Sequence, residues 1–300
     1  MEAVRLPSPR RALLIVNRKS SRAADAHLEA GLHLLAEHGL AVRQEVTERP
    51  DEIESMLRRH ARETDLVILG GGDGTISRAL PVLLETSRPL GILPLGTAND
   101  FAHTLGIPDD VEAACAVIAA GRLRHVDVGV VNGIPFVNAA SLGLSVTVAR
   151  ELTVETKRRL GVLSYPLRLV RAWRRRRPFR ADVECDGRRV RLWSLQVHVG
   201  NTGHYGGGMV VSQDAKPDDG RLVLASVPPR GVLRLLLWLP ALRRGRHAGT
   251  EVAVLRGTAI ELRTRPPRLV ATDGEVTGRT PASFRVLPRA LAAYAPEAAP

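Results

Sequence analysis

Leu66-Val67-Ile68-Leu69-Gly70-Gly71-Gly72-Asp73-Gly74-Thr75 is the stretch on which the fold turns. Four apolar residues read as a strand buried on both faces, and they run straight into glycines and then into a helical pattern reaching Leu84. Upstream, 12–16 reads as another short buried strand, and Leu28, Leu32 and Leu35 mark a helix that closes at Gly39. Residues 42–46 alternate like a strand, and Ile53, Met56, Leu57 and His60 mark the next helix. Downstream, 91–94 is a further strand, followed by a loop and a helix over 111–120. Strands alternating with helices of this length predict βαβ units and a doubly wound parallel sheet.

Past Gly121 the rhythm changes. Asn132-Gly133 and Asp186-Gly187 each sit between strand-like runs and predict hairpins. Residues 190–199, 222–227, 259–263, 269–271 and 283–287 read as strands, and the clearest helix is 231–244. The expected organisation is an α/β domain over 1–125 and a mostly antiparallel β domain over 126–300, with the last strand or tail returning to the first domain.

The chain has 300 residues, 44% hydrophobic and 25% charged, which excludes a disordered or fibrous protein. Only 3% is aromatic, so the core is built from Leu, Val, Ala and Ile. Cys115 and Cys185 stand alone, without a CxxC or a neighbouring His pattern, and read as reduced buried thiols. No stretch approaches the roughly 18 apolar residues of a membrane span, since 231–242 is broken by Arg234 and Pro240. Residues 12–16 are too short for a signal-peptide core. A cytoplasmic protein is expected, meeting a membrane from its surface.

Two loops carry chemistry. Glycines after the 66–69 strand let a ligand approach the backbone, and amides at a helix N-terminus favour anions. In open α/β sheets ligands bind beyond the carboxyl ends of strands, where this loop falls. Asp73 there could face a metal ion or a ligand hydroxyl; a tight turn capped by Asp73 explains the same residues equally well. The spacing fits neither GxGxxG followed by an acid nor GxxxxGK[ST]. One unit later comes Leu93-Pro94-Leu95-Gly96-Thr97-Ala98-Asn99-Asp100-Phe101-Ala102, again a strand ending in glycine and polar side chains. Thr97, Asn99 and Asp100 are also ordinary helix-cap residues.

Taken together, the 71–75 and 96–102 motifs resemble the bacterial lipid kinases of the diacylglycerol kinase and sphingosine kinase superfamily. The resemblance extends through 138–143, the 157–165 stretch, Gly200-Asn201, 216–222 and Asp273-Gly274-Glu275. It implies a phosphofructokinase-like N-terminal domain, a C-terminal β-sandwich, and phosphorylation of a lipid hydroxyl with ATP and Mg2+. It further implies that Asn17, Ser21, Thr47, Gly71, Gly72, Asp73, Gly74, Thr75, Thr97 and Asn99 contact the nucleotide. Asp73 and Asp100 would work with magnesium and phosphates, and Glu275 would be the general base. Lys216, Asp219 and Arg221 match a structural magnesium site made of backbone carbonyls and one Asp. Read from its residues alone, Glu275 is better explained as a solvated turn acid, and the resemblance reverses that. Two departures stand out: Asn17-Arg18-Lys19-Ser20-Ser21 lacks the family's usual Pro, and Ser77 and Arg78 replace its usual Asn-Glu. Arg78 is expected on the first turn of the phosphate-facing helix.

The formal net charge is +12, with 43 Lys and Arg of which only Lys19, Lys157 and Lys216 are lysine. Most of the excess collects in 157–191, thirteen basic residues against Asp182, Glu184 and Asp186. Leu160, Leu163, Leu167, Val170 and Trp173 thread that stretch at helical spacing, predicting a basic amphipathic helix for an anionic membrane surface. A core-facing helix with a solvated basic face is the commoner origin of such a pattern. The 231–247 helix is a candidate second contact. No nucleic-acid motif or stacking set is present. The expected protein is a lipid kinase with its active site in an interdomain cleft; the competing expectations are a NAD kinase-like phosphotransferase on a soluble substrate and a catalytically weak nucleotide- or lipid-binding protein. Oligomeric state is open, a homodimer included.

Overall fold

A computed structural model describes residues 10–18, 25–144, 146, 178–201, 204–205, 209–210, 215–229 and 253–297. The chain divides into two compact units, 1–128 with 288–300, and 129–287.

In the first unit the elements alternate as β1 (Arg10–Asn17), α1 (Asp25–Glu37), β2 (Leu40–Thr47), α2 (Ile53–His60), β3 (Leu66–Gly71), α3 (Asp73–Thr86), β4 (Leu90–Pro94), α4 (Asp100–Thr104) and α5 (Val111–Ala119). Strand order is β2-β1-β3-β4, all parallel. Every residue of β3 and β4 is buried, as central parallel strands require, whereas β2 at the edge is largely open. Helix α1 packs on α5 and α2 on α3, so the sheet is doubly wound. The close approach of α1 to α5 depends on Gly31: a Cβ there would lie 2.6 Å from the Cys115 sulfur.

The second unit opens with β5 (Leu123–Val131), which begins in the first, and continues through β6 (Ile134–Phe136), β7 (Ala139–Gly143), β8 (Phe179–Cys185), β9 (Arg188–Ser194), β10 (Gln196–Gly200), β11 (His204–Tyr205) and β12 (Met209–Val210). Then come β13 (Leu222–Val227), β14 (Ala253–Gly257), β15 (Ala259–Arg265), β16 (Leu269–Thr272), β17 (Glu275–Arg279) and β18 (Ala282–Tyr294). One sheet runs β14-β13-β10-β7-β16-β17, antiparallel throughout. The other is formed by the first part of β18 with β15, β8 and β9. Phe136, Phe179, Phe284, Leu142, Leu224, Ile260 and Leu262 from both sheets share one core, which makes the unit a β-sandwich. The last part of β18 belongs to the first unit, where Ala293 pairs with Leu90 in parallel.

The hairpin signals hold. Asn132-Gly133 and Asp186-Gly187 both have positive φ at both central positions, as a primed turn demands. The expected strand over 190–199 is two strands. The chain leaves one sheet after Ser194 and joins the other at Gln196, because Leu195 bonds to Val227 and Leu144 rather than to a ladder partner. The expected helices around 157–173 and over 231–244 lie outside the described residues.

Candidate active site

Parallel register sets the first unit's site. Asn17 pairs with Thr47, Val16 with Gly70, and Gly71 with Pro94, so four strands end together at one carboxyl edge. Asn17 donates to the Thr75 hydroxyl at 3.4 Å. Thr47 is buried, and its hydroxyl shares its one proton between the Glu52 carboxylate, at 2.8 Å, and the Arg49 carbonyl, at 2.9 Å. Ser21 lies outside the described residues.

Beyond that edge the two glycine loops lock together. A Cβ on Gly96 would sit 2.4 Å from the Gly72 Cα, and one on Gly71 would sit 2.3 Å from the Thr75 hydroxyl. Leu95 N–H donates to the Gly71 carbonyl at 3.1 Å. Asp73, the first residue of α3, reaches across and accepts from the backbone N–H of Asp100 and of Phe101, at 3.1 and 3.0 Å. One carboxylate thus starts its own helix and caps α4. Gly74 and Thr97 are exposed, and nothing lies within 4 Å of where a Gly74 Cβ would stand.

Asn99 is the strained member of the set. It adopts a left-handed conformation with φ of 50°, buried, donating to the carbonyls of Pro94 and Gly96 and to Asp109. Its Oδ1 is buried without a hydrogen-bond partner. Asp109 also bonds His103. Its part in steadying Asn99 was not foreseen; no spacing rule links a loop carboxylate to an amide ten residues earlier.

Arg78 falls on the second turn of α3, not the first, because the helix begins at Asp73. Its charge acts on Asp51, whose carboxyl is held below the usual range chiefly by hydrogen bonding to Arg49. Arg18 lies beside Glu48 at 4.0 Å.

In the second unit, Glu275 is exposed at the start of β17, directly after the positive-φ pair Asp273-Gly274. Asp273 accepts from the N–H groups of Val137, Asn138 and Ala139, all at 3.0–3.1 Å, and its own N–H donates to Ala139. It fastens the hairpin that presents Glu275. Asp-Gly is a turn signal in sequence, but the three amides it meets come from far away in the chain.

Lys216, Asp219 and Arg221 share one exposed turn. Asp219 accepts from the N–H of Lys216 at 3.2 Å and of Arg221 at 2.9 Å. Its carboxylate keeps acceptor capacity beyond these two bonds, and carboxylate plus main-chain carbonyl oxygens is a donor set that suits a hard cation. Among the described residues there is no cluster of three or more His, Cys, Asp or Glu side chains. Both cysteines are free and buried, and burial raises the Cys115 thiol to about 12.

Interlocked glycine loops at the carboxyl edge of a doubly wound sheet, followed by a β-sandwich, define a class of two-unit phosphotransferases, and comparison with known proteins agrees. Residues 11–131 match the family model of the diacylglycerol kinase catalytic domain, and 138–295 match the YegS C-terminal NAD kinase beta sandwich-like domain. The chain belongs to this family and is accordingly a lipid kinase, transferring phosphate. It is 30% identical over 93% of its length to a probable lipid kinase, YegS-like, of Enterobacter, covering 94% of that protein. An uncharacterized Synechocystis protein is 30% identical over 84% of the chain, which spans 60% of that relative's length. Among solved structures, a diacylglycerol kinase from Bacillus anthracis superposes with a TM-score of 0.79 at 27% identity, covering 96% of this chain and 98% of that one.

Proposed function

We propose that the chain transfers the γ-phosphate of ATP to a free hydroxyl of a diacylglycerol-like lipid at a membrane surface. The observation that carries this is the lock between the Gly72 and Gly96 backbones, which leaves a side-chain-free wall beside the N-terminus of α3. Such a wall admits a phosphate chain against main-chain N–H groups at the positive end of a helix.

Within that reading, Asn17, Thr47, Thr75 and Thr97 hold the nucleotide by hydrogen bonds, and Asn99 offers its unpaired oxygen to a donor on it. Asp73 and Asp100 would hold Mg2+, which when bound neutralises phosphate charge. Glu275 accepts the proton of the attacking lipid hydroxyl. Its exposed position on a fastened hairpin suits a base that meets substrate only during turnover. Asp219 with the carbonyls of Lys216 and Arg221 would hold a second, structural Mg2+. Phosphoryl transfer asks little covalent work of a protein beyond this positioning and charge neutralisation.

The test is labelled ATP offered with diacylglycerol, phosphatidylglycerol, sphingosine or ceramide in mixed micelles, with NAD as the soluble control. Phosphate on a lipid, diacylglycerol above the others, is the expected result. Transfer to NAD alone would replace the reading with a NAD kinase-like one, and tight nucleotide binding with no transfer would leave a binding protein.

A further inference from the structure

The outer face of the β9-β8-β15 sheet carries an arrangement that neither the core nor the proposed chemistry uses. Strand β9 pairs only with β8 among the described residues, so it is a sheet edge. Its outward residues are Arg189, Arg191 and Trp193, and Trp193 is 57% exposed. Register places Arg180 opposite Trp193 on one side and opposite Arg265 on the other. The next row is Arg191, Asp182 and Arg263, and the next Arg189, Glu184 and Glu261.

The three acids are occupied on the face itself: Asp182 by Arg191 at 2.9 Å, Glu184 by Arg189 at 2.9 Å, and Glu261 by the Ser283 hydroxyl. Arg180, Arg263 and Arg265, all exposed, form no ion pair among the described residues. Arg180 and Arg265 stand directly opposite one another, a like-charge pair that weakens a sheet. An exposed tryptophan beside arginines that form no ion pair among the described residues is costly to keep in water and favourable at a lipid interface. The indole sits at headgroup level there, and the guanidinium groups meet phosphates.

We propose that this face docks on an anionic lipid bilayer, with Trp193 entering the headgroup layer and Arg180, Arg263 and Arg265 pairing with lipid phosphates. The docking deepens the reading of action at a membrane surface and rests on it for its purpose, but its binding energy is independent of catalysis. The face is also a poor site for self-association, because two copies would set these arginines against one another and because charged side chains blunt sheet edges.

The experiment is co-sedimentation of the full chain with vesicles of phosphatidylcholine containing 30% phosphatidylglycerol, and with phosphatidylcholine alone. Binding is expected only to the anionic vesicles and to weaken with salt. Each cation near such a surface contributes about a fivefold factor, so Arg180→Gln with Arg265→Gln is expected to cost about thirtyfold. Trp193→Ala is expected to cost several-fold and to be less sensitive to salt. Arg59→Gln with Arg62→Gln removes the same charge from the first unit and is expected to change binding little. Equal losses in the two double variants, or no loss in the first, would overturn the proposal. A monomer–dimer equilibrium abolished by Trp193→Ala would also overturn it and assign the face to a second copy. Loss of lipid phosphorylation with vesicle binding intact would count against the kinase reading alone, while normal phosphorylation in micelles with unchanged vesicle binding in Arg180→Gln/Arg265→Gln would count against this face alone.

Discussion

Each unit uses an aspartate to fasten a loop, but they use it differently. In the first, Asp73 is both fastener and proposed working group: its carboxylate caps α4 with two backbone bonds and stands in the glycine loop. In the second, the duties are divided between neighbours. Asp273 takes three backbone N–H groups, and Glu275, two residues on, is left exposed at the mouth of the hairpin. A group that must accept a proton gains from standing exposed on a hairpin that a neighbouring residue fastens. A group that polarises through fixed geometry gains from being locked in place.

The largest effect expected from breaking this comparison is on turnover. Glu275→Gln removes the proton acceptor while keeping size and hydrogen bonding, so transfer should fall by about 10²–10⁴-fold. Glu275 is exposed and the amide keeps the side chain's size and an acceptor oxygen, so stability in urea should change by less than about 1 kcal/mol. A large stability loss would contradict the division of labour; near-normal turnover would remove Glu275 from the chemistry.

Next comes the loop lock. Gly96→Ala would press a methyl group against the Gly72 Cα and the Asn99 oxygen, 2.4 and 2.7 Å away, both backed by packed chain. Overpacking of that kind costs about 1–3 kcal/mol and should part the loops, weakening nucleotide binding tenfold or more in titration calorimetry. Gly74→Ala meets open space and should leave stability within about 1 kcal/mol of the parent. If both alanines behaved alike, the lock would not be what shapes the site.

The two fasteners can then be compared directly. Asp273→Ala leaves three N–H groups without their acceptor and should cost about 2–3 kcal/mol. Asp73→Ala strands two at a short helix and should cost about 1–2 kcal/mol. From sequence, Asp73→Ala is a purely chemical change that spares the fold; the capping bonds make it a mixed one. Asp73→Asn, which keeps an acceptor oxygen, separates the parts: urea titration should recover much of the stability while transfer stays low.

How much of this was legible in the residues follows from the range of the interactions. The doubly wound sheet could be read because Leu66 to Leu69, the glycines and the flanking helical stripe are contiguous, and their meaning is local. The I′ turns at Asn132-Gly133 and Asp186-Gly187 could be read for the same reason. The corner at Leu195 could not: an apolar run looks the same whether it stays in one sheet or crosses to the other. The backbone lock of Gly72 on Gly96, the reach of Asp73 to α4 and of Asp273 to 137–139, and the clustering of Arg180, Arg265 and Trp193 are all made by register between distant strands. Periodicity carries no information about register. The basic stretch near 157–191 was visible as charge, yet its described part shows Arg189 and Arg191 already paired, and the arginines beside Trp193 that form no ion pair among the described residues come partly from β15.

The last effect expected is on pH dependence, and it falls in the second unit, on the buried base His198. His198 lies on β10 with Ala225 of β13 on one side and Ser141 of β7 on the other, neither of which titrates. Burial lowers its pKa from 6.5 to about 3. The folded state therefore prefers the neutral ring, while the unfolded chain takes up a proton near pH 6.5. Stability from this source is complete above 6.5 and falls as pH drops below it, levelling off only near 3. The loss is on the order of 1 kcal/mol one pH unit below 6.5 and grows by a similar amount with each further unit until other groups intervene. Urea midpoints between pH 7.5 and 5 should fall accordingly for the sandwich, followed by a probe in that unit, and His198→Gln should flatten that slope whatever it costs at neutral pH. A slope unchanged in His198→Gln would assign the acid sensitivity to other groups.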